Sequence, residues 1–92
     1  MGVKVRLFAN FREAAGKPDV QFNGVRSISS LFDGLVERFG SKMAEELFGS
    51  DGEIRPTVNL LLNGKALKLP ADLGMPLNDG DVVEIFPPVS GG

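Results

Sequence analysis

The sequence contains neither cysteine nor histidine among its 92 residues, and it also lacks tryptophan and tyrosine. Such a chain has no thiol nucleophile, no imidazole for proton transfer near neutral pH, and none of the usual nitrogen and sulfur ligands of zinc. The carboxylates of Asp33, Glu37, Glu45 and Glu46 fall on helical patterns, where solvated helix faces account for them. We therefore expect no internal catalytic site, no metal site and no cofactor bound by this chain.

Length and charge restrict the class of protein further. Ninety-two residues with 42 % apolar content predict one small domain that folds without disulfides. With 10 basic and 12 acidic residues, a net charge of −2 and no lysine or arginine block, the sequence argues against binding nucleic acid or an anionic membrane. No apolar run approaches about 18 residues, and no signal-peptide core follows Met1. We expect a cytoplasmic protein.

The most informative stretch is the C-terminal segment, where an apolar strand pattern stops at a double proline and the sequence ends in two glycines. Proline holds φ at about −65° and donates no backbone hydrogen bond, so the pair predicts that the chain leaves any sheet as a stiff segment. Six extended residues reach roughly 20 Å, and glycine, without a Cβ atom, passes through narrow channels. We predict a folded domain over residues 1–86 and a flexible tail over residues 87–92. The tail consists of Pro87, Pro88, Val89, Ser90, Gly91 and Gly92.

The two final glycines also have a simpler explanation, because chain ends are commonly frayed and glycine is common there. Glycine makes up 12 of the 92 residues, so two at the last positions would occur by chance in roughly 2 % of such sequences. The Phe-Pro-Pro sequence shortly before them favours a functional explanation. If this chain carries a reactive atom, the terminal carboxyl group of Gly92 is the candidate.

Apolar residues that alternate predict strands, and apolar residues at helical spacing predict one long helix. That helix runs from an N-cap at Ser27 to Gly40, and a short helical segment follows from a second N-cap candidate at Ser41. A helical turn between a capping box at Asn10 and a stop at Gly16 connects the first two strands into a hairpin. The predicted strands cover residues 3–8, 19–22, 54–62, 65–68 and 82–86.

The order of these elements favours an α+β domain. We expect one main helix packed across a mixed sheet of four to five strands, with short additional helical turns. Asn63-Gly64 predicts a tight type I′ turn between two of the strands. We expect the last strand, which leads into the tail, to pair in the centre of the sheet.

Strand parity separates an inner face of the sheet from an outer face. If the odd-numbered positions of the first and last strands face the helix, several apolar side chains are left on the outer face. Scattered exposed apolar residues are normal on protein surfaces, so this set has a neutral explanation. A cluster at the root of the tail would also suit a partner protein, and we predict docking through Phe86, Phe8, Leu61 and Val82.

The chain carries short motifs at both ends, namely Leu7-Phe8-Ala9, Arg12-Glu13, Gly16, Pro76-Leu77, Asp79-Gly80-Asp81 and the segment from Phe86 to Gly92. Together they resemble the ubiquitin-like β-grasp sulfur carriers, specifically the small subunit of molybdopterin synthase and the small archaeal modifier proteins. The middle of the chain, over residues 48–64, is more similar to the archaeal proteins. The related carriers of the thiamine pathway share the two glycines but lack the Phe-Pro-Pro segment.

The resemblance implies a carrier that is activated at its C-terminus by another protein. An ionised carboxylate is a poor electrophile, so an adenylating enzyme of the ubiquitin-activating type would join Gly92 to AMP, using ATP and Mg²⁺ that this chain does not bind. Sulfur would then replace AMP to give a thiocarboxylate. In molybdopterin synthase the large subunit supplies the catalytic residues and receives the tail, so the resemblance implies a small subunit of an enzyme complex rather than an enzyme.

Two other functions stay open at the level of sequence. In the archaeal modifiers the same adenylate leads instead to an isopeptide bond between the C-terminal glycine and a lysine of a target protein, and some members of the family serve both purposes. The other alternative is a β-grasp interaction module in which the two glycines have no chemical role.

Overall fold

The computed structural model describes residues 2–88. The strands are β1 (Gly2–Leu7), β2 (Asp19–Asn23), β3 (Asn59–Leu62), β4 (Lys65–Leu67) and β5 (Val82–Phe86). The helices are α1 (Asn10–Ala15), α2 (Ile28–Phe39) and α3 (Ser41–Leu47), with a 3₁₀ helix at Ala71–Gly74. These elements confirm the predicted α+β domain with one main helix.

The five strands form one mixed sheet in the order β2-β1-β5-β3-β4. β5 pairs in parallel with β1, whereas β1 with β2, β3 with β5 and β3 with β4 are antiparallel. The last strand in sequence therefore lies third of five, in the centre of the sheet, as predicted. The chain therefore leaves the sheet from a strand that is paired on both sides.

The core lies between the inner face of the sheet and the apolar side of α2. Burying one large apolar side chain contributes about 1.5–3 kcal/mol, so the alternation of each strand determines which face meets the helix. The predicted parity is confirmed, because the inward strand positions are buried at Val3, Val5, Leu7, Val20, Phe22, Val83 and Ile85. From α2 the buried residues are Ile28, Leu31, Phe32 and Leu35.

The ends of α2 are determined by local chemistry. The Ser27 hydroxyl accepts a hydrogen bond from the Ser30 backbone N–H, and the Ser30 hydroxyl accepts one from the Ser27 backbone N–H. This reciprocal arrangement satisfies two backbone donors that the first helical turn would leave unpaired. Gly40, with φ of 80°, follows the last turn. The predicted limits of the main helix are confirmed.

The predicted N-caps of the two shorter helices were wrong, whereas the predicted end of the first one at Gly16 is confirmed. Asn10 is the first residue of α1 rather than its cap; the cap position is Ala9, which makes no side-chain hydrogen bond there. The Asn10 side chain donates instead to the carboxylate of Glu46 in α3. For α3 the cap position is Gly40, so Ser41 lies inside the helix.

The third predicted strand was too long at its start. Only Asn59–Leu62 is strand, whereas Ile54 forms an isolated bridge with Phe48. Between them the Val58 N–H donates to the Arg55 carbonyl, which closes a turn around Pro56. Proline has no N–H to contribute to a ladder, which explains why pairing begins only after this turn. The predicted type I′ turn is confirmed, since Asn63 and Gly64 both have positive φ, 51° and 85°.

Candidate functional site

The predicted reactive tail begins where β5 ends. Phe86 is the last residue of β5, and Pro87 and Pro88 follow it outside the strand. We refer to Phe86, Pro87 and Pro88 as the tail root. The remaining residues of the predicted tail, Val89 to Gly92, lie outside the described residues, so the flexible tail and the role of Gly92 stay predictions.

On the side of β1, the tail root is supported by Phe8. The backbone N–H of Phe8 donates to the carbonyl of Ile85 at 3.1 Å, one residue beyond the end of β1. The rings of Phe8 and Phe86 meet edge to face, with centroids 5.5 Å apart and an interplanar angle of 81°. An edge-to-face pair brings the positive edge of one ring to the negative face of the other, which favours one mutual orientation.

On the side of β3, the tail root is supported by Asn59. Asn59 lies opposite Phe86 in the register of β3 and β5. Its side-chain Nδ2 donates to the carbonyl oxygen of Pro87 at 3.1 Å. Sequence reasoning missed this residue as a functional candidate. The available signal was its residue type, because asparagine is depleted in strands and Asn59 falls within the predicted strand over residues 54–62.

The structure places all four predicted docking residues on the outer face, and two of them, Phe8 and Phe86, form an aromatic pair. Phe8, whose exposed fraction is 39 %, lies against half-buried Phe86 at the tail root. Leu61 lies opposite Glu84, and Val82 lies opposite Lys4. The docking role of this set stays a prediction, and Phe8 and Phe86 are its compact part.

A charged pair divides the outer face. Arg6 lies opposite Glu84 across β1 and β5, with 3.9 Å between the guanidinium Nη1 and the carboxylate Oε2. Glu84 lies between Val82 and Phe86 on the outer face of β5, so these two apolar residues are not adjacent along the strand. An exposed ion pair contributes little to stability, about 0–1 kcal/mol, but it places both signs of charge beside the two rings.

A groove of about 350 Å³ lies beside the tail root. Its walls are the two prolines of the root, the start of α1, α3 and the turn before β3. The polar groups in it bond to one another: the Arg55 Nε donates to the Glu45 carbonyl at 2.9 Å, and Asn10 donates to the Glu46 carboxylate. These contacts tie α3 to its neighbours and form the surface from which the tail departs.

Over residues 2–88, the acidic side chains form no group of three that could hold a metal ion. Within the same range, none of the helices is long and apolar enough to cross a membrane.

Comparison with known proteins identifies the family of this chain. The model of the ThiS family matches residues 5–92, which includes all five strands except the start of β1, together with the C-terminal segment. The chain belongs to the ThiS family. The resemblance stated from the motifs is thereby confirmed at the level of the family.

Three archaeal proteins illustrate what this ThiS-family chain is similar to. Small archaeal modifier protein 3 of Haloferax volcanii is 34 % identical, and the alignment covers 100 % of both chains. The crystal structure of small archaeal modifier protein 1 from the same organism has a TM-score of 0.82 at 34 % identity, with 100 % of both chains covered. A Pyrococcus furiosus protein provisionally named molybdopterin converting factor, subunit 1, has a TM-score of 0.73 at 34 % identity, covering 97 % of this chain and 99 % of that one. The ubiquitin-like β-grasp fold is confirmed.

Proposed function

We propose that this ThiS-family protein is a sulfur carrier that holds sulfur as a thiocarboxylate on Gly92 and donates it during molybdopterin synthesis. The observation that carries the proposal is the connection between fold and terminus. The central strand β5 passes without a loop into the double proline, and only Val89 and Ser90 separate the prolines from the Gly-Gly sequence. The protein acts as a substrate and a subunit of other enzymes rather than as an enzyme itself.

The first chemical step is activation of the carboxylate. An oxygen of the Gly92 carboxylate attacks the α-phosphorus of ATP, pyrophosphate leaves with the electron pair of the broken P–O bond, and an acyl adenylate remains. A partner enzyme of the ubiquitin-activating type supplies the ATP and Mg²⁺. The carrier contributes a tail tip without Cβ atoms, which fits a narrow channel.

The second step is sulfur transfer. A sulfide equivalent supplied by the partner attacks the acyl carbon and displaces AMP, which leaves a thiocarboxylate on Gly92. Because the chain contains no cysteine, its own side chains cannot hold the sulfur as a persulfide. The thiocarboxylate tail then enters the large subunit of molybdopterin synthase, whose residues carry out the transfer. Support for this fate comes from the name of the Pyrococcus furiosus relative.

A second function is favoured by the names of the Haloferax volcanii relatives, which are small archaeal modifier proteins. Here the amine of a target-protein lysine attacks the same acyl adenylate, AMP leaves, and an isopeptide bond forms at Gly92. Both functions share the activated intermediate, and the nucleophile that meets it decides between them.

Docking to these partners uses the outer face at the tail root. Phe8 and Phe86 present aromatic surface next to the point where the tail departs, and Leu61 and Val82 lie further along the same face. Aromatic side chains are enriched in the energetically dominant parts of protein interfaces. A partner that contacts the two rings holds the tail close to its own active site.

The test is mass spectrometry of the protein produced together with its own adenylating enzyme. We expect intact mass to show an oxygen-to-sulfur exchange that is located at Gly92, and a chain lacking Gly92 to show none. A search for Gly-Gly remnants on lysines of other proteins tests the second function. Abundant lysine adducts without sulfur at Gly92 would reverse the ranking. If neither the thiocarboxylate nor the lysine adducts are found, both functions are rejected.

A further inference from the structure

A side-chain hydrogen bond from Asn59 continues the contacts of β5 beyond the last backbone pair of the sheet. On the β1 side the last contact of the strand is the Phe8 N–H to the Ile85 carbonyl, at 3.1 Å. On the β3 side the register ends at Asn59 opposite Phe86. Pro87 follows and has no N–H with which to extend the ladder. The Asn59 side chain instead donates to the Pro87 carbonyl, which adds one contact beyond the last pair of the ladder.

We propose that Asn59 is a positioning residue, which sets the direction in which the tail leaves the sheet and thereby presents Gly92 to the activating enzyme. This inference rests on the proposed function, because it concerns how the same terminus is delivered. Asn59 makes this contact from the exposed outer face, beside the two rings that we propose as the docking surface.

The restricted backbone angles of the two prolines explain why one hydrogen bond is sufficient to orient the start of the tail. The rings of Pro87 and Pro88 hold both φ angles near about −65°. The residue before a proline is confined to extended conformations, with ψ of about +120° to +160°. Pro87 precedes Pro88, so this interval applies to ψ of Pro87, which also sets the direction of the Pro87 carbonyl. The hydrogen bond from Asn59 therefore restricts ψ of Pro87 to a narrower range. The first backbone angle left free is then ψ of Pro88.

A small change in ψ at this position is amplified along the tail. Four residues follow Pro88, and a chain of that length spans at most about 13 Å, so a swing of about 20° at its base displaces the far end by up to roughly 4–5 Å. A partner must capture this end in a narrow channel before it can react. Without Asn59 fewer encounters are aligned, whereas the chemistry after capture is unchanged. We therefore expect KM for the carrier to rise about twofold to fivefold, with kcat unaffected.

The decisive variant is Asn59→Asp, which removes the Nδ2 donor and keeps the size of the side chain. Asn23→Asp is the matched control, since it makes the same amide-to-carboxylate change at an exposed position of β2, at the far edge of the sheet. Asn59→Gln keeps an amide donor on a longer side chain, and we expect its KM to lie between those of the unsubstituted protein and Asn59→Asp. Thermal melts of all variants should match the unsubstituted protein, because the core does not include Asn59.

A measurement on the free carrier separates positioning from direct contact with the partner. We expect the Cα–Hα residual dipolar couplings of Pro87 and Pro88, in a weakly aligned sample, to decrease in Asn59→Asp and to persist in Asn23→Asp. Couplings that do not change, or a KM that does not rise, would overturn the proposal. If the unsubstituted protein is not adenylated at all, the proposed function fails, while the couplings still decide whether Asn59 orders the tail root.

Discussion

The guanidinium of Arg38 lies over the ring of Phe22, with its Cζ atom 3.9 Å from the ring centroid. From this position Arg38 Nη1 donates to the carbonyl of Gln21 at 3.0 Å. Phe22 and Gln21 belong to β2, which is an edge strand, whereas Arg38 belongs to α2. The side chain therefore joins the main helix to the edge of the sheet and occupies a hydrogen-bond acceptor that another chain could otherwise use.

Replacement of Arg38 by alanine should destabilise the protein. An exposed cation–π contact contributes about 0.5–1 kcal/mol, and the charged hydrogen bond adds to it, so we expect the free energy of unfolding to fall by about 1–2 kcal/mol. Urea unfolding followed by circular dichroism measures the change. Arg26→Ala removes the same charge from an exposed side chain and should cost less than about 0.5 kcal/mol. Equal losses in the two variants would mean that net charge, not the Phe22 contact, is responsible.

Replacement of Ser27 by alanine should weaken the start of α2. The variant loses the hydroxyl that accepts from the Ser30 N–H, and loss of such a cap costs about 0.5–2 kcal/mol. The midpoint of thermal unfolding should fall accordingly. Ser41→Ala is the control, because α3 has no side-chain cap bond and Ser41 lies inside the helix. A similar loss in Ser41→Ala would contradict this account of capping.

A charge at the tail root should impair docking. Phe86→Glu is expected to weaken binding to the activating enzyme most, because an unpaired carboxylate buried in an apolar interface is costly. Phe8→Glu should act in the same direction, and Leu61→Glu more weakly because Leu61 lies opposite Glu84 and is not part of the ring pair. Isothermal titration calorimetry measures the affinity, with Gln21→Glu on β2 as the control. Unchanged affinity in folded variants would exclude this surface as the docking site.

A side chain at the tip of the tail should block activation without affecting the fold. Gly91→Val and deletion of Gly92 are expected to abolish adenylation, since the tip must enter a narrow channel and Gly92 carries the reacting carboxyl. Thermal melts should be unchanged. Gly74→Val makes the same substitution at an exposed glycine whose added Cβ would meet no atom within 4 Å, and it should be adenylated normally. Normal adenylation of the shortened chain would refute the carrier function.

The sequence by itself determined the features that depend on neighbouring residues. Alternation assigned the inner and outer positions of β1 and β5, because each position on a strand has only two directions. Ser27 and Gly40 predicted both ends of α2, and Asn63-Gly64 predicted its turn, since caps and tight turns are satisfied within a few residues. The Phe-Pro-Pro and Gly-Gly segments, together with the other motifs, were sufficient to indicate the family.

Only the tertiary structure decided the features that join distant parts of the chain. The parallel pairing of β1 with β5 connects Lys4 to Val82, and no local pattern specifies such a partner. Asn10 bonds to Glu46 rather than capping its own helix, because a side chain takes whichever partner packing brings within reach. The bond from Asn59 to Pro87 likewise spans 28 positions. Its existence depends on the register of β3 against β5, which long-range burial and pairing determine together.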